Sequence, residues 1–139
     1  MRKKVVFDTS LLLTVCIYSD REPAQIFRLA WLHHEVVATP QTLAELAQVI
    51  GRPKFDNWRP HQVRMAWLQN HAANVVEYQS ESQVTDCRDA KDNKFLDAAL
   101  AASAEVIVCS DKDLLVLYPY RNIDVLNLQD FRQKYLTAA

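Results

Sequence analysis

The chain has 139 residues, of which 50% are apolar and 24% are charged, with a formal net charge of -1 and a pI near 6.4. This length and apolar content suffice for a buried core, and we expect a single domain over residues 1–139. The charge balance argues against a protein that coats nucleic acid with a broad basic surface. It does not exclude a nuclease, because an acidic metal site subtracts charge from the total.

No stretch reaches the roughly 20 consecutive apolar residues that a membrane span requires. The three cysteines, Cys16, Cys87 and Cys109, are far apart and form neither a CxxC motif nor a cluster with the histidines. This spacing argues against a disulfide framework and against a zinc site. We therefore expect an unprocessed, soluble, cytoplasmic protein without membrane association.

Short apolar runs alternate with helical patterns along the chain. A β-branched run near the start predicts a buried strand that ends at Asp8, followed by an apolar helix capped by Thr9 or Ser10. Later patterns predict strands over residues 35–40, 74–78, 106–109 and 123–126, and helices over residues 23–33, 40–50, 59–72, 92–103, 111–117 and 128–136.

Several of these helices carry clear boundary signals. Pro23 suits a first helical turn, Thr39 is a good cap for the next helix, and Gly51 ends that helix. The helix over residues 59–72 is expected to bury Val63, Ala66, Trp67 and His71. The polar, aperiodic stretch over residues 79–88 is expected to be a surface loop, and its pattern carries little information about packing.

Strands that alternate with helices indicate an α/β protein with right-handed crossovers around a parallel sheet of five short strands. In such a sheet a ligand binds outside the carboxyl ends of the strands, where the strand order reverses. If the order is 3-2-1-4-5, this point lies between strands one and four. Asp8 and Asp111 both fall at the ends of those two strands.

Four acidic residues are candidates for a site at this position, each with a structural alternative. Asp8 is the strongest, because a carboxylate at the inner end of an apolar strand needs a cation or hydrogen-bond donors. Its alternative is to accept hydrogen bonds from the first amides of the next helix. Asp92 and Asp111 also precede helices, where an aspartate cap is common. Glu45 lies near a first helical turn, where the helix dipole favours an acid.

Four carboxylates that converge in one crevice repel one another, and the repulsion calls for cations. Magnesium or manganese, as one or two ions, suits an all-oxygen ligand set. Such an ion activates water and neutralises a phosphodiester, so hydrolysis is the expected reaction. We also expect that removing Asp8 or Asp92 relieves the repulsion, so that the metal-free variants melt at or above the wild-type temperature.

Five segments in a fixed order strengthen this interpretation: residues 5–10, 39–46, 52–55, 89–101 and 108–115. Together they resemble the PIN-domain family, in particular the ribonuclease toxins of bacterial and archaeal type II toxin-antitoxin systems. The resemblance spans nearly the whole chain. It implies a three-layer α/β/α fold with the strand order 3-2-1-4-5. It also places the catalytic, metal-binding acids on Asp8, Glu45, Asp92 and Asp111.

The resemblance further implies a magnesium- or manganese-dependent endoribonuclease that hydrolyses single-stranded RNA. An antitoxin protein as partner and a homodimer are implied as well. Ser10, Asp113 and Asn93 are candidates for supporting the site. Three other acids are interpreted as loop or structural residues: Asp86, Asp89 and Asp97.

Basic residues after the third helix are candidates for contacts to RNA phosphates: Arg52, Lys54, Arg59 and Arg64. Phe55 or Trp58 would then stack on a base. The alternative is that these side chains are exposed and only solvated.

Three other functions share part of this pattern. A phosphatase of the haloacid-dehalogenase kind also opens with a strand that ends in aspartate, but it has an acid two residues later, where this chain has Ser10. A phosphate-accepting receiver domain needs paired acids and a lysine that we cannot place. A PIN-like module that binds RNA or protein without cleaving is the non-enzymatic alternative, and the complete set of four acids argues against it.

Overall fold

A computed structural model describes residues 2–81 and 83–137, and its centre is a five-stranded sheet with the order β3-β2-β1-β4-β5. All four strand pairings are parallel. The strands are β1 (Lys4–Phe7), β2 (Glu35–Ala38), β3 (Val76–Glu77), β4 (Val106–Val108) and β5 (Asp124–Leu126). The predicted α/β class and strand order are confirmed.

Within the described residues, seven α-helices connect and cover the strands: α1 (Thr9–Ile17), α2 (Glu22–His33), α3 (Pro40–Ile50), α4 (His61–Asn74), α5 (Asn93–Ala102), α6 (Lys112–Leu115) and α7 (Leu128–Tyr135). Two short 3-10 helices, Pro53–Phe55 and Ala90–Asp92, precede α4 and α5.

The central strands separate two hydrophobic cores because successive side chains of a strand point to opposite faces. In β1, Val5 and Phe7 pack with α1, α2 and α7, whereas Val6 packs with α5 on the other face. In β4, Val108 joins the first core and Ile107 the second. Burial on both faces gives the predicted three layers and fixes the strand ends at a single edge.

Local signals located most helix ends correctly. Pro23 lies in the first turn of α2, and Gly51 follows the last residue of α3. Thr39 and Thr42 form a capping box at the start of α3. The predicted cap of α1 was wrong, because Asp8, and not Thr9 or Ser10, accepts the backbone N–H of the first turn.

The predicted buried face of α4 was also wrong. Val63 and Ala66 are exposed, and the fully buried residue of this helix is Arg64. Hydrophobic periodicity could not find this face, because the side chain that fills it is charged. Among the predicted residues, His71 is buried and Trp67 is partly buried.

Residues 79–81 and 83–88 form a surface loop without helix or strand, as predicted, and a few contacts anchor this loop to the rest of the fold. Cys87 is buried, and Val84 packs against the second core. The hydroxyl of Tyr120 donates a hydrogen bond of 2.5 Å to Asp86. In the described part of the chain, none of the helices has the length and apolar character to cross a membrane.

Candidate active site

An open cleft of about 340 Å³ lies where β1 and β4 end, at the point where the strand order reverses. All four predicted acids line it, and so does a fifth acid. The lining acids are Asp8, Glu45, Asp89, Asp92 and Asp111. The sheet therefore brings together side chains from both halves of the sequence.

Asp8 is held at the floor of the cleft by backbone amides. It is only 4% exposed. One carboxylate oxygen accepts from the N–H of Leu11 at 2.9 Å, and the other accepts from the N–H of Ser110 at 3.1 Å. Burial raises the pKa of Asp8, and the two amides with the Ser10 hydroxyl oppose that shift. The carboxylate thus ties the start of α1 to the loop after β4.

Ser10 supports Asp8 directly, in agreement with its proposed supporting position. Its hydroxyl donates to Asp8 at 3.2 Å, and it shares a 2.8 Å hydrogen bond with the hydroxyl of Ser110.

Three aspartates form a compact group at the side of the cleft. One carboxylate oxygen from each of Asp89, Asp92 and Asp111 lies within 4.8 Å of the others, and all three residues are half-buried. Oδ2 of Asp92 is buried and has no hydrogen-bond partner among the described residues. A buried carboxylate oxygen without a donor is costly, so this atom has an unmet need for a cation or a proton.

The two central aspartates of this group differ in their proton affinity. Burial, followed by the neighbouring Asp111, raises the pKa of Asp92 to about 7. The backbone N–H of Asp113 donates to Asp111 at 2.8 Å, and this bond lowers the pKa of Asp111. At neutral pH without a metal, Asp92 therefore retains much of a proton while Asp111 is ionised.

Asp113 and Asn93 both lie next to the cleft. Asp113 acts on Asp111 through its backbone amide. Asn93 accepts from the backbone N–H of Cys87 at 2.8 Å. That bond anchors the loop that leads to Asp89.

Glu45 also lines the cleft, outside the group of three aspartates, and has its own hydrogen-bond partners. The Thr9 hydroxyl donates to Oε1 at 2.5 Å, and the Lys94 ammonium donates to Oε2. Lys94 and Glu45 form a half-buried ion pair.

The residues present fit a hard divalent cation. The donors are carboxylate oxygens, which magnesium and manganese prefer, and the unpartnered oxygen of Asp92 is within reach of two further aspartates. The described residues form no cysteine or histidine cluster that would favour zinc.

The basic residues are not all at the cleft. Arg52 lines it, and Lys54 is exposed beside the ring of Phe55. Arg59 instead donates to the carbonyl of Cys16 and lines a separate groove. Arg64 is fully buried, which leaves no surface for contact with RNA in this fold.

Three further residues belong to the site and were not predicted from the sequence. Asp89 joins the aspartate group, and Thr9 and Lys94 bond to Glu45. A spacing signal existed for Asp89, because Asp89 and Asp92 are three residues apart and one helical turn brings such residues to one side. Lys94 and Thr9 had no comparable signal, since each acts through a partner that is distant in sequence.

Comparison with known proteins agrees with this geometry. A model of the PIN domain family matches residues 4–113. The chain belongs to the PIN domain family. PIN domains are generally nucleases that use divalent metal ions, which suits the acidic cleft described above. The resemblance found in the sequence is thereby confirmed.

The chain is also similar to individual proteins and solved structures. An uncharacterised protein from Methanocaldococcus jannaschii is 29% identical over 116 residues, which cover 82% of this chain and 74% of the relative. VapBC2 from Rickettsia felis, crystallised on a DNA fragment from its promoter, aligns with a TM-score of 0.58 at 10% identity, covering 89% of this chain and 98% of that one. PAE2754 from Pyrobaculum aerophilum aligns with a TM-score of 0.58 at 11% identity, covering 94% and 86%. At these identities the two solved structures establish the shared fold.

Proposed function

We propose that this PIN domain, acting as one unit over residues 1–139, is a metal-dependent endoribonuclease that hydrolyses phosphodiester bonds in single-stranded RNA. The observation that carries the proposal is the group of Asp89, Asp92 and Asp111 with its unpartnered, buried oxygen, in a cleft at the carboxyl edge of a PIN-domain sheet.

In this proposal Asp92 and Asp111 hold magnesium or manganese, with Asp89 and Asp8 beside them. When bound, the ion would lower the pKa of a water molecule and neutralise charge on the phosphodiester. Asp8 accepts hydrogen bonds from the backbone of both α1 and the loop after β4. It thereby holds these two segments together, so that the other carboxylates converge in the cleft. Arg52 and Lys91 line the cleft and give a phosphate backbone two positive charges to approach.

The direct test is cleavage of an end-labelled single-stranded RNA by the wild-type chain in magnesium, with and without a chelator. Asp92→Asn should reduce the cleavage rate by roughly 100-fold or more, because the unpartnered oxygen loses its charge. Asp130→Asn is a matched control, because Asp130 is an exposed acid in the first turn of α7, outside the cleft. Cleavage that survives in chelator or in Asp92→Asn would contradict the proposal.

The same assay separates two other functions. Hydrolysis of p-nitrophenyl phosphate without cleavage of RNA would favour a phosphatase. RNA binding without cleavage, at any divalent ion tested, would favour a non-catalytic module.

We further propose that the chain is the toxin of a cytoplasmic toxin-antitoxin pair, with an antitoxin protein as partner and a homodimer as its assembly. The similar fold of VapBC2, a toxin-antitoxin complex, supports this proposal. A second support is an apolar groove of about 480 Å³ between α1, α2 and α4, lined by Phe27, Trp31 and Trp67. At its edge Leu32 is 66% exposed. An apolar surface of this kind is typical of a protein-binding site.

A further inference from the structure

The environment of Glu45 differs from that of the other cleft acids. Both of its carboxylate oxygens already have donors within the chain, the Thr9 hydroxyl on Oε1 and the Lys94 ammonium on Oε2. The two charged side chains are 24% and 22% exposed, so the pair is substantially shielded from solvent. Asp92, in contrast, has a buried oxygen with no partner among the described residues.

The cleft acids therefore differ in how their charge is balanced. Three aspartates offer oxygens within 4.8 Å of one another. The charge of Glu45, outside that group, is neutralised by an ammonium group in direct hydrogen-bond contact. A partly buried ion pair is screened less than a surface pair, so its charge compensation persists at ordinary salt.

A divalent ion on Glu45 would have to lie within a few ångströms of the Lys94 ammonium. Like charges at such distances repel strongly in a shielded site. Lys94 does not line the cleft itself but a second cavity of about 150 Å³, together with Gln41 and Asp97. We therefore expect the ammonium to keep its bond to Glu45 when an ion enters the aspartate group.

We propose that Lys94 is a built-in counter-cation that limits this cleft to one divalent ion, bound on the Asp89, Asp92 and Asp111 side. Glu45 is then a positioning residue rather than a metal ligand. It holds the Thr9 hydroxyl, which is adjacent in sequence to Asp8, and is itself held by Lys94. This inference rests on the proposed metal-dependent function, and it determines how many ions that function uses.

The test is to count bound manganese ions by electron paramagnetic resonance of free Mn²⁺ during titration of the metal-free chain. The wild-type chain should bind one ion. Lys94→Met should bind a second, weaker ion, because Glu45 gains a free charge. Lys94→Arg should still bind one ion, because arginine keeps the positive charge.

Lys91→Met is the matched control. Lys91 also lines the cleft but is exposed, and no ion pair joins it to Glu45 among the described residues. Its removal deletes the same charge and should leave one bound ion. The double variant Glu45→Gln with Lys94→Met should also return to one ion, since the second binding position then lacks its carboxylate.

Two ions on the wild-type chain, or a single ion on a folded Lys94→Met variant, would overturn this inference and leave the nuclease proposal standing. No bound manganese on the wild-type chain would overturn both. Circular dichroism of each variant establishes that it is folded, and the wild-type count tests the inference even if Lys94→Met does not fold.

Discussion

At the scale of single residues, chemically identical carboxylates of one cleft have different roles because their neighbours differ. Asp8 accepts two backbone amides and closes the first turn of α1. Asp92 precedes α5 but makes no capping hydrogen bond. From the sequence, removal of either Asp8 or Asp92 is expected to leave the melting temperature of the metal-free chain at or above that of the wild type. The structure instead indicates that removal of Asp8 lowers the stability, whereas removal of Asp92 does not.

Asp8→Ala should destabilise the metal-free chain by about 2 kcal/mol, because a helix cap is lost and the backbone N–H of Ser110 loses its acceptor. The free energy of unfolding in urea, measured in a chelator, tests this. Asp130→Ala should change it by no more than about 0.5 kcal/mol, since it is an exposed acid without such bonds. A more stable Asp8→Ala protein would show that repulsion in the cleft outweighs the cap.

The raised pKa of Asp92 predicts a pH dependence of stability. Its pKa is about 7 in the folded chain and near the ordinary 3.8 when unfolded. Between these values the folded chain binds more protons, so metal-free stability should fall as the pH rises from about 4 to about 7. Asp92→Asn should abolish this contribution, because an amide does not titrate.

His71 titrates in an overlapping pH range, and its effect on the free energy of unfolding has the opposite sign. The effect of Asp92 must therefore be obtained as the difference between the wild-type chain and Asp92→Asn. Burial lowers the pKa of His71 to about 4, so its contribution to stability is lost as the pH falls from 6.5 to about 4. The two proteins share this effect. Urea unfolding of wild type and Asp92→Asn across the same pH series therefore removes the shared His71 effect and reports the coupled titration of Asp92 and Asp111. If the free energy of unfolding depends on pH in the same way for both proteins, the raised pKa of Asp92 is contradicted.

At the scale of elements, one buried side chain organises the connection between α3 and α4. The guanidinium of Arg64 donates to the carbonyls of Ile50, Arg52 and Arg59, and it pairs with Asp56 at 2.9 Å. The guanidinium thereby supplies hydrogen-bond donors to carbonyls at the end of α3 and in the irregular segment that follows it. Arg52, which lines the cleft, is positioned by this arrangement.

Arg64→Met should destabilise the chain by about 3 kcal/mol, because methionine fills the space but leaves the carbonyls of Ile50 and Arg59 without the guanidinium donor. Thermal or urea unfolding measures the loss. Arg28→Met is the control, since Arg28 is exposed and donates to a single carbonyl, that of Ser19. Similar losses in the two variants would show that the arginine network is not specifically stabilising.

At the scale of the whole molecule, the acidic cleft and the apolar groove are separate surfaces with separate linings. The cleft is lined by acids at the carboxyl edge of the sheet, and the groove by aromatic side chains of α2 and α4. His71 stacks on Trp67 in the groove with ring centroids 5.0 Å apart. Cleavage and partner binding should therefore be separable by mutation.

Leu32→Glu should abolish capture of the chain by a tagged antitoxin from the neighbouring reading frame, because it places a charge on the apolar groove. RNA cleavage by the free variant should be unchanged. Val116→Glu is a matched control, since Val116 is 75% exposed and does not line the groove. Equal capture of the two variants would place the antitoxin elsewhere.

Much of the fold was predictable because its signals are local. The β-branched runs, the proline of α2 and the capping box of α3 each report on a few neighbouring residues. The buried face of α4 was not predictable, because Arg64 is held in the interior by hydrogen bonds to the carbonyls of Ile50 and Arg52, which lie in a separate segment. The contacts of Asp86 and Cys87 were not predictable for a similar reason, since Tyr120 and Asn93 bond to them from outside their own loop.

The sequence by itself determined the alternation of strands and helices and placed acids at the ends of two strands. Only the tertiary structure decided which partners those acids have. Asp8 bonds to an amide 102 residues away, and Glu45 to an ammonium 49 residues away. Periodicity reports which face of its own element a residue occupies, whereas a hydrogen bond or ion pair depends on how distant elements are placed together. The grouping of Asp89, Asp92 and Asp111 and the pairing of Glu45 with Lys94 are therefore properties of the folded sheet edge.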